Sequence, residues 1–233
     1  MNKGHILLEG GAEFGGMMSE PDRKALSLAG GPDVKVSIIP AAAAPDDNHK
    51  RAGQNGVRWF KHLGATRASA LPLIDRTTAE DPQIISALRR SRLIYLLGGF
   101  TRHLAQSLSD SGAWKAIVSA YESGAVLAGS SAGAMVLCRY FFDHSSGRVL
   151  KGLGLIPTAC ILPHHDTFGY LWAHRLKRRL PEMLLIGIDE ETGMLDDGPQ
   201  GLWQVYGKGS ITLYRHETTI RFGAGDRFRL SRL

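Results

Sequence analysis

Two serines set between glycines are the first residues whose types and spacing suggest chemistry. The segment AVLAGSSAGAMVL, from Ala125 to Leu137, begins as a small apolar run and continues past Gly-Ser-Ser-Ala-Gly with a helical pattern. Gly129, Ser131 and Gly133 fit G-x-S-x-G, in which a tight turn lifts a serine hydroxyl out of a sheet. The N–H groups of the following helix would then face an oxyanion formed beside that serine. The alternative is a glycine-rich turn in which the serines are incidental.

A serine nucleophile needs a base to take its proton and a third group to orient that base. The best candidates for the base are His164 and His165 in LPHHDT (162–167), because they follow a strand-like run. His103, after another glycine turn, is the alternative. The spacing does not choose among the carboxylates that could orient the imidazole, which are Asp143, Asp166, Asp189 and Glu190.

A second glycine turn lies in LLGGFT (96–101), directly after an apolar run. Its backbone N–H groups, together with the N–H of Ala132, would complete an oxyanion hole. The alternative is a tight turn that only allows close packing of the next helix.

Composition and length limit the class of protein. With 233 residues, 43% of them hydrophobic, we expect one domain spanning 1–233. The sequence has no long uncharged apolar run, and its start lacks the order of a signal peptide, so we expect a cytoplasmic protein that does not engage a membrane. Two cysteines make neither a disulfide framework nor a metal cluster, and we expect no metal and no cofactor.

The charge balance gives little support to a nucleic-acid partner. The formal net charge is +6 and the pI is about 9.5. Apart from HRLKRRL (174–180) and RFRLSRL (227–233), the basic residues are scattered, and neither cluster is interleaved with aromatic residues as a nucleic-acid surface would be. We expect these two clusters to be a solvated helix face and a solvated tail.

The apolar pattern predicts the elements that must position these residues. Strand-like segments near 5–11, 34–44, 69–74, 92–99 and 125–130 are each followed by a helical pattern. Such alternation predicts an α/β fold with a doubly wound, mostly parallel sheet flanked by helices. From residue 151 strand-like segments follow one another with short turns, which predicts a partly antiparallel C-terminal extension. Ligands of such sheets bind beyond the carboxyl ends of the strands, where both glycine turns lie.

Taken together, these segments resemble peptidase family S51, the family of aspartyl dipeptidase (dipeptidase E) and cyanophycinase. That family has a fold similar to class I glutamine amidotransferases, with serine in place of the cysteine nucleophile. The resemblance is carried, in the family's order, by LLEGGAE (7–13), SIIPAAAA (37–44), YLLGGFT (95–101), GSSAGAMVL (129–137), KGLGLIPTACILPHHD (151–166), GIDEETG (187–193) and QVYGKGSITLY (204–214).

The resemblance implies roles for individual residues. Ser131 would be the nucleophile, and His164 would be the base, because it aligns with the family's Pro-His-[Tyr/Phe] histidine. In the family, the acid follows the nucleophile after a short stretch of chain. Asp143 is the only carboxylate between Ser131 and the histidine pair, and it is therefore the candidate for the acid that orients the histidine. Gly99 and Ala132 would supply the oxyanion N–H groups.

Two departures from the family's pattern bear on specificity. The family's Gly-Gly-Asn turn reads Gly98-Gly99-Phe100, so an amide that could contact substrate becomes an apolar ring. This predicts either altered specificity or a member that no longer cleaves α-aspartyl peptides. The Asp-Gln-His of cyanophycinases is also absent, and Leu162-Pro163-His164 is nearer the dipeptidase branch.

The resemblance therefore implies a serine peptidase that cleaves small peptides with an acidic residue at the scissile bond, through an acyl-enzyme. We expect a monomer or homodimer. Candidate substrate contacts are Phe100, Thr101 and His165, with Arg102 and Arg175 as candidate partners of the substrate's carboxylate.

Two other functions stay open at this point. One is a binding or regulatory protein without turnover. Phe100 in place of the family's asparagine, and an acid whose spacing does not match the family's pattern, would be consistent with such a protein. The other is an amidotransferase-like amidase, although Cys138 lies about two helical turns beyond the elbow. The carboxylates of GIDEET, at 187–192, are expected to support the site or cap a turn rather than to react.

Overall fold

The computed structural model describes residues 3–198 and 201–230 of the chain. Within that part the central sheet has eight strands, five of which run parallel to one another. The parallel strands are β1 (Ile6–Glu9), β2 (Lys35–Ile39), β3 (Arg67–Ala70), β4 (Leu93–Leu96) and β5 (Val126–Ser130). Across the sheet they lie in the order β1, β5, β4, β2, β3. All but β3 are buried almost throughout, so helices must cover both faces.

Helices lie on both sides of this sheet. They are α1 (Ser19–Ala29), α2 (His49–His62), α3 (Pro82–Arg89), α4 (Thr101–Leu108), α5 (Gly112–Glu122) and α6 (Ala132–Leu137). Successive residues of a strand point to opposite faces. Leu7 accordingly packs in a cluster with Phe60 of α2, whereas Leu8 belongs to the cluster that contains Leu104 of α4 and Ile117 of α5.

Local signals set several helix ends. The carboxylate of Asp81 accepts an N–H of the first turn of α3, and the hydroxyl of Ser111 does the same for α5. Helix α1 ends at Gly30, whose φ of 117° lies in the left-handed region that favours glycine. These residues fix where α3 and α5 begin and where α1 ends.

The C-terminal part adds antiparallel strands to one edge of the sheet and builds a separate sheet. Beyond β1 lie β10 (Thr192–Gly198), β11 (Leu202–Gly207) and β14 (Arg227–Arg229). The separate sheet contains β8 (Ala159–Leu162), β9 (Leu184–Ile188), β12 (Ser210–Arg215) and β13 (Thr218–Gly223), with β8 and β9 parallel. A hairpin of β6 (Tyr140–Asp143) and β7 (Arg148–Lys151) follows α6, and α7 (Tyr170–Arg179) joins β8 to β9.

The predicted fold class is confirmed: a large, mostly parallel sheet is flanked by helices and carries an antiparallel extension. One predicted strand is displaced, because β3 spans 67–70 rather than 69–74. The N–H of Leu71 still bonds to the carbonyl of Ile38, but Pro72 has no N–H to continue the ladder. The separate sheet of β8, β9, β12 and β13 goes beyond the prediction of added strands.

The two basic segments lie in α7 and, as far as the structure describes the second, around β14. HRLKRRL occupies the second half of α7, where Leu176 is buried and Arg178 and Arg179 are exposed. Positive charge there also suits the negative end of the helix dipole. Of RFRLSRL, residues 227–229 form β14, and residues 231–233 lie outside the described part. Over the residues that the structure describes, every helix is too short or too polar to cross a bilayer.

Candidate active site

Ser131 is the single residue between the end of β5 and the start of α6. Its backbone has φ 47° and ψ −108°, a conformation that costs free energy for any residue with a side chain. The flanking glycines are required by close approach of the backbone. A Cβ at Gly129 would lie 2.5 Å from the carbonyl carbon of Gly133, and one at Gly133 would lie 2.1 Å from the oxygen of Leu96. This is the geometry of a strained elbow that presents a serine hydroxyl.

The hydroxyl of Ser131 belongs to a chain of hydrogen bonds. Its Oγ lies 3.0 Å from Nε2 of His164, and Nδ1 of His164 lies 2.7 Å from Oε1 of Glu190. If Nδ1–H donates to the carboxylate, Nε2 is left free to accept the serine proton. The three side chains therefore have the connectivity of a nucleophile, a base and the group that orients the base.

The histidine is held by its backbone and its neighbours. His164 has φ 49°, and its N–H donates to the carbonyl of Gly10 over 2.8 Å. Its ring stacks on Phe168, with centroids 4.9 Å apart and planes inclined by 21°. On the other side, the N–H of Glu190 donates to Asp166 over 2.9 Å, which fixes the residue that carries the orienting carboxylate.

The prediction that Asp143 orients the histidine is corrected by this geometry. Asp143 ends β6, and its two oxygens accept hydrogen bonds from Ser145 and Ser146, at 2.9 and 2.5 Å. Burial alone would raise its pKa, but the hydrogen bonds from those serines outweigh burial and hold the pKa of Asp143 below its usual value. The hairpin thus places an ionised carboxylate in the wall of a cleft that opens beside Ser131. The carboxylate that bonds Nδ1 of His164 is that of Glu190.

The neighbouring histidine faces the other way. His165 is buried, its Nε2 lies 2.8 Å from the hydroxyl of Tyr214, and its Nδ1 lies 3.4 Å from Asp189. A Cβ at Gly187 would lie 2.2 Å from the His165 ring, so the ring packs flat against β9. His165 is therefore structural, and its prediction as a substrate contact is not supported. His103, the alternative base, points to the carbonyl of Ile74 over 2.7 Å.

Gly99 and Ala132 present backbone N–H groups at two adjoining turns. Gly99 has φ 131°, and a Cβ there would lie 2.4 Å from the oxygen of Ala42, so only glycine fits. Ala132 is the first residue of α6 and is buried. Among the described residues, no hydrogen bond from either N–H to a protein acceptor is found. An oxyanion that forms beside Ser131 would need donors of this kind.

A cleft of about 360 Å³ opens over these residues. Its wall contains Gly99, Phe100, Thr101, Ser131, Met135, Phe142, Asp143, His144, Ser145, Pro163, His164, Phe168 and Trp172. Phe100, which replaces the family's asparagine, is 50% exposed at this wall. Within the described part of the chain, no lysine or arginine is among the wall residues.

The two arginines predicted to bind a carboxylate lie outside that wall. The guanidinium of Arg175 stands 5.5 Å from the ring centroid of Phe142 and donates to the carbonyl of Gly147 over 2.9 Å. Arg102 is exposed, and its charge acts on Asp143, contributing to the lowered pKa of that carboxylate. Both arginines are thus near residues of the cleft rather than in it.

Buried acids lie beneath the elbow. The carbonyl of Glu9 accepts the N–H of Ser131 over 2.9 Å, and its carboxyl group accepts the hydroxyl of Tyr95. Burial, with the charge of Asp22, raises the pKa of Glu9 well above its usual value. Burial also raises the pKa of Asp22 to about 7, although the indole N–H of Trp59 donates to it over 2.7 Å. Among the described residues, no group of three or more histidine, cysteine or acidic side chains could hold a metal ion.

Comparison with known proteins agrees with this fold. The model of peptidase family S51 matches residues 6–199. A cyanophycinase from Trichormus variabilis is 30% identical over 224 residues, covering 89% of this chain and 72% of the relative. A peptidase E from Citrobacter koseri is 27% identical over 186 residues, covering 72% of this chain and 76% of the relative.

Solved structures show the same likeness. A peptidase from an acI-B1 actinobacterium superposes with a TM-score of 0.86 at 28% identity, over 98% of this chain and 97% of that one. A candidate peptidase E from Listeria monocytogenes, at 17% identity and a TM-score of 0.61, covers 96% of this chain and 100% of its own and shares the fold. The chain belongs to peptidase family S51 and is a serine-type hydrolase.

Proposed function

We propose that Ser131, His164 and Glu190 are the nucleophile, base and orienting acid of a peptidase that hydrolyses small peptides. The observation that carries this proposal is the continuous chain of hydrogen bonds, 3.0 Å from serine to imidazole and 2.7 Å from imidazole to carboxylate. The strained backbone of Ser131 adds support, because such conformations cluster at active sites.

The geometry supports a two-step reaction. Nε2 of His164 takes the proton of Ser131 as Oγ attacks the peptide carbonyl, and Glu190 stabilises the imidazolium. The N–H groups of Gly99 and Ala132 stabilise the oxyanion of the tetrahedral intermediate. His164 then gives its proton to the leaving amine, and an acyl-enzyme remains on Ser131. Water, deprotonated by the same imidazole, attacks the acyl carbon; the bond to Oγ of Ser131 then breaks, His164 returns the proton to Oγ, and the carboxylic acid is released.

The cleft suits a small peptide with charges of both signs. A volume of about 360 Å³ is near the lower end of the range for small-molecule sites. The ionised carboxylate of Asp143, beside the rings of Phe142 and Trp172, provides a partner for an α-ammonium group. Arg102 and Arg175, close to those residues, are the cations available to an acidic side chain. We therefore propose a dipeptide-sized substrate with an acidic residue at the scissile bond.

A second candidate function is cleavage of cyanophycin. Three relatives named cyanophycinase match 89% of the chain at 30% identity. Against this, Leu162 and Pro163 precede His164 where the cyanophycinase pattern has Asp-Gln. Degradation of cyanophycin by the wild type, absent in Ser131→Ala, would favour this candidate over the hydrolysis of free dipeptides.

An amidase that uses a thiol is not supported. Cys138 is buried, and burial raises the pKa of its thiol well above the usual value, which keeps it in the unreactive protonated form. Ammonia release from glutamine by the wild type, retained in Ser131→Ala, would restore that alternative.

A panel of dipeptides tests the proposed substrate. Asp-Leu, β-Asp-Leu, Asn-Leu, Ala-Leu and N-acetyl-Asp-Leu would be incubated with the wild type and with Ser131→Ala. We expect hydrolysis of an aspartyl peptide with a free amino terminus, weaker hydrolysis of the others, and none by the variant. Hydrolysis of Ala-Leu as fast as Asp-Leu would contradict the acidic preference. Tight binding of Asp-Leu without turnover would support the binding-protein alternative.

A further inference from the structure

Glu13 joins the two turns from which the oxyanion donors come. It lies in the loop between β1 and α1, far in sequence from both turns. Its Oε2 accepts the hydroxyl of Ser130 over 2.9 Å, and its Oε1 accepts the N–H of Gly98 over 3.3 Å. Ser130 directly precedes Ser131, and Gly98 directly precedes Gly99. One carboxylate therefore touches the residue before the nucleophile and the residue before the second oxyanion donor.

The two turns are close enough for such a contact to set their spacing. A Cβ built on Gly98 would lie 3.4 Å from Cβ of Ser131 and 3.0 Å from Oε1 of Glu13. Ser130 is fully buried, and a buried hydroxyl needs a hydrogen-bond partner, which Glu13 supplies. The position before the nucleophile thus has a partner that its sequence context does not reveal.

The loop that carries Glu13 is held in an unusual shape. Ala12 and Phe14, on either side, have φ of 58° and 66°, which L-residues rarely adopt. The ring of Phe14 packs on Tyr95 of β4, with centroids 5.3 Å apart. Nearer β1, the carbonyl of Gly10 accepts the N–H of His164 over 2.8 Å. The strained backbone is therefore fixed at both ends, and it aims the carboxylate at the turns.

We infer that Glu13 is a positioning residue that sets the distance between the Gly99 and Ala132 oxyanion donors by bonding Gly98 and Ser130. This inference rests on the proposed serine mechanism, because the two donors act on the oxyanion of that mechanism. Glu13 itself makes no contact with substrate in this account. Since the donors act on the charge that develops in the transition state, their displacement lowers kcat and leaves KM nearly unchanged.

Three variants and a matched control test this inference. Glu13→Ala should lower kcat by about 10- to 100-fold and leave KM within about twofold of the wild-type value. A loss of this size is expected when a donor shifts by up to about 1 Å. Glu13→Gln, which keeps one acceptor oxygen, should recover part of the loss. Ser130→Ala should cost less than Glu13→Ala. The control is Glu20→Ala, which removes a carboxylate that accepts the N–H of Gly207 over 2.8 Å, away from the cleft; its kcat should stay at the wild-type value.

A double variant of Glu13 and Ser130 distinguishes a positioning role from a general loss of rigidity in the protein. Because Ser130 acts through Glu13, the double variant Glu13→Ala/Ser130→Ala should have the kcat of Glu13→Ala alone, within about twofold. Multiplication of the two single losses would show independent effects and overturn the inference. Glu13→Gln and Ser130→Ala carry the same test if Glu13→Ala does not fold, as judged by circular dichroism.

The rate of labelling by a fluorophosphonate probe distinguishes failure of this inference from failure of the proposed function. The phosphonyl oxygen needs the same donors, so Glu13→Ala should label at Ser131 more slowly by about the factor found for kcat. Wild-type labelling matched by folded Glu13→Ala would overturn the role of Glu13 and leave the serine mechanism standing. A folded wild type that neither labels nor hydrolyses peptides would contradict both.

Discussion

The imidazole of His164 places its Nδ1 2.7 Å from Oε1 of Glu190, a residue that follows β9 of the separate sheet. Ser131 follows β5 of the central sheet, whereas His164 and Glu190 follow β8 and β9 of the separate sheet, so the chain of hydrogen bonds joins the two sheets. The N–H of His164 also bonds to the carbonyl of Gly10, after β1. The relative position of the two sheets therefore decides whether the oriented base reaches Ser131.

Replacing Glu190 by glutamine should impair the chemical step. The amide cannot stabilise the imidazolium and can select the wrong tautomer of His164, so we expect kcat to fall by about 10²- to 10⁴-fold with little change in KM. Steady-state kinetics on the best dipeptide would measure this. Glu191→Gln is the matched control, because the neighbouring carboxylate accepts the N–H of Met17 and lies outside the cleft wall. Equal kcat in wild type and folded Glu190→Gln would remove Glu190 from the mechanism.

Asp143→Asn should affect binding rather than chemistry. The amide loses the charge that would attract an α-ammonium group but keeps an acceptor for Ser145 or Ser146. We expect KM for a free dipeptide to rise by about tenfold, the scale of one charged contact, with kcat nearly unchanged. The N-acetylated peptide serves as the control substrate, since its KM should not change. A large fall in kcat for both substrates would return Asp143 to the catalytic group.

Gly99→Ala should damage both stability and activity. The added Cβ would lie 2.4 Å from the oxygen of Ala42, at a φ of 131° that alanine rarely adopts. The conformation alone costs about 1–2 kcal/mol of the free energy of unfolding, and relief of the clash would move the proposed oxyanion donor. Urea unfolding and probe labelling would measure the two effects. In Gly15→Ala, where the Cβ meets nothing within 4 Å, neither quantity should change. Wild-type behaviour of Gly99→Ala would contradict the geometry of this turn.

The fold and half of the candidate site follow from local sequence. The nucleophile turn is recognisable because Gly129, Ser131 and Gly133 keep a fixed spacing within one strand-turn-helix unit. The choice of His164 over His165 relied on the resemblance. The opposite directions of the two rings reflect the left-handed φ of His164, which no sequence pattern predicts.

The acid and Glu13 could not be chosen in this way. Glu190 was one of four carboxylates with suitable spacing, and it reaches His164 because β9 pairs in parallel with β8, the strand that His164 follows. Asp143 was closer to the nucleophile in sequence, but the hairpin directs it to Ser145 and Ser146. Glu13 meets its partners across more than 80 residues of chain, so its role depends on the order of strands in the sheet.

The buried acid Asp22 predicts a dependence of stability on pH. Its pKa is about 7 in the folded chain, against an ordinary value of 3.8. The folded state therefore binds the proton more tightly than the unfolded state. The resulting stabilisation is fully present below about pH 4 and is lost as the pH rises through about 7.

Urea unfolding between pH 4 and pH 8 would measure this effect. The free energy of unfolding of Asp22→Asn should fall less steeply with pH than that of the wild type, because the amide does not titrate. The remaining slope includes Asp196, whose pKa burial also raises to about 7. Asp46→Asn, at an exposed position, is the control and should follow the wild-type curve. Parallel curves for wild type and Asp22→Asn would contradict the assignment.

The central claim, that Ser131 is an activated nucleophile, is tested most directly by intact-mass analysis after treatment with a fluorophosphonate probe. Wild type, Ser131→Ala and the neighbouring Ser130→Ala would be compared, each confirmed as folded. The account predicts a single adduct on the wild type, a slower single adduct on Ser130→Ala and none on Ser131→Ala, with aspartyl-dipeptide hydrolysis lost in Ser131→Ala alone. An adduct or undiminished hydrolysis in Ser131→Ala would show that another group is the nucleophile.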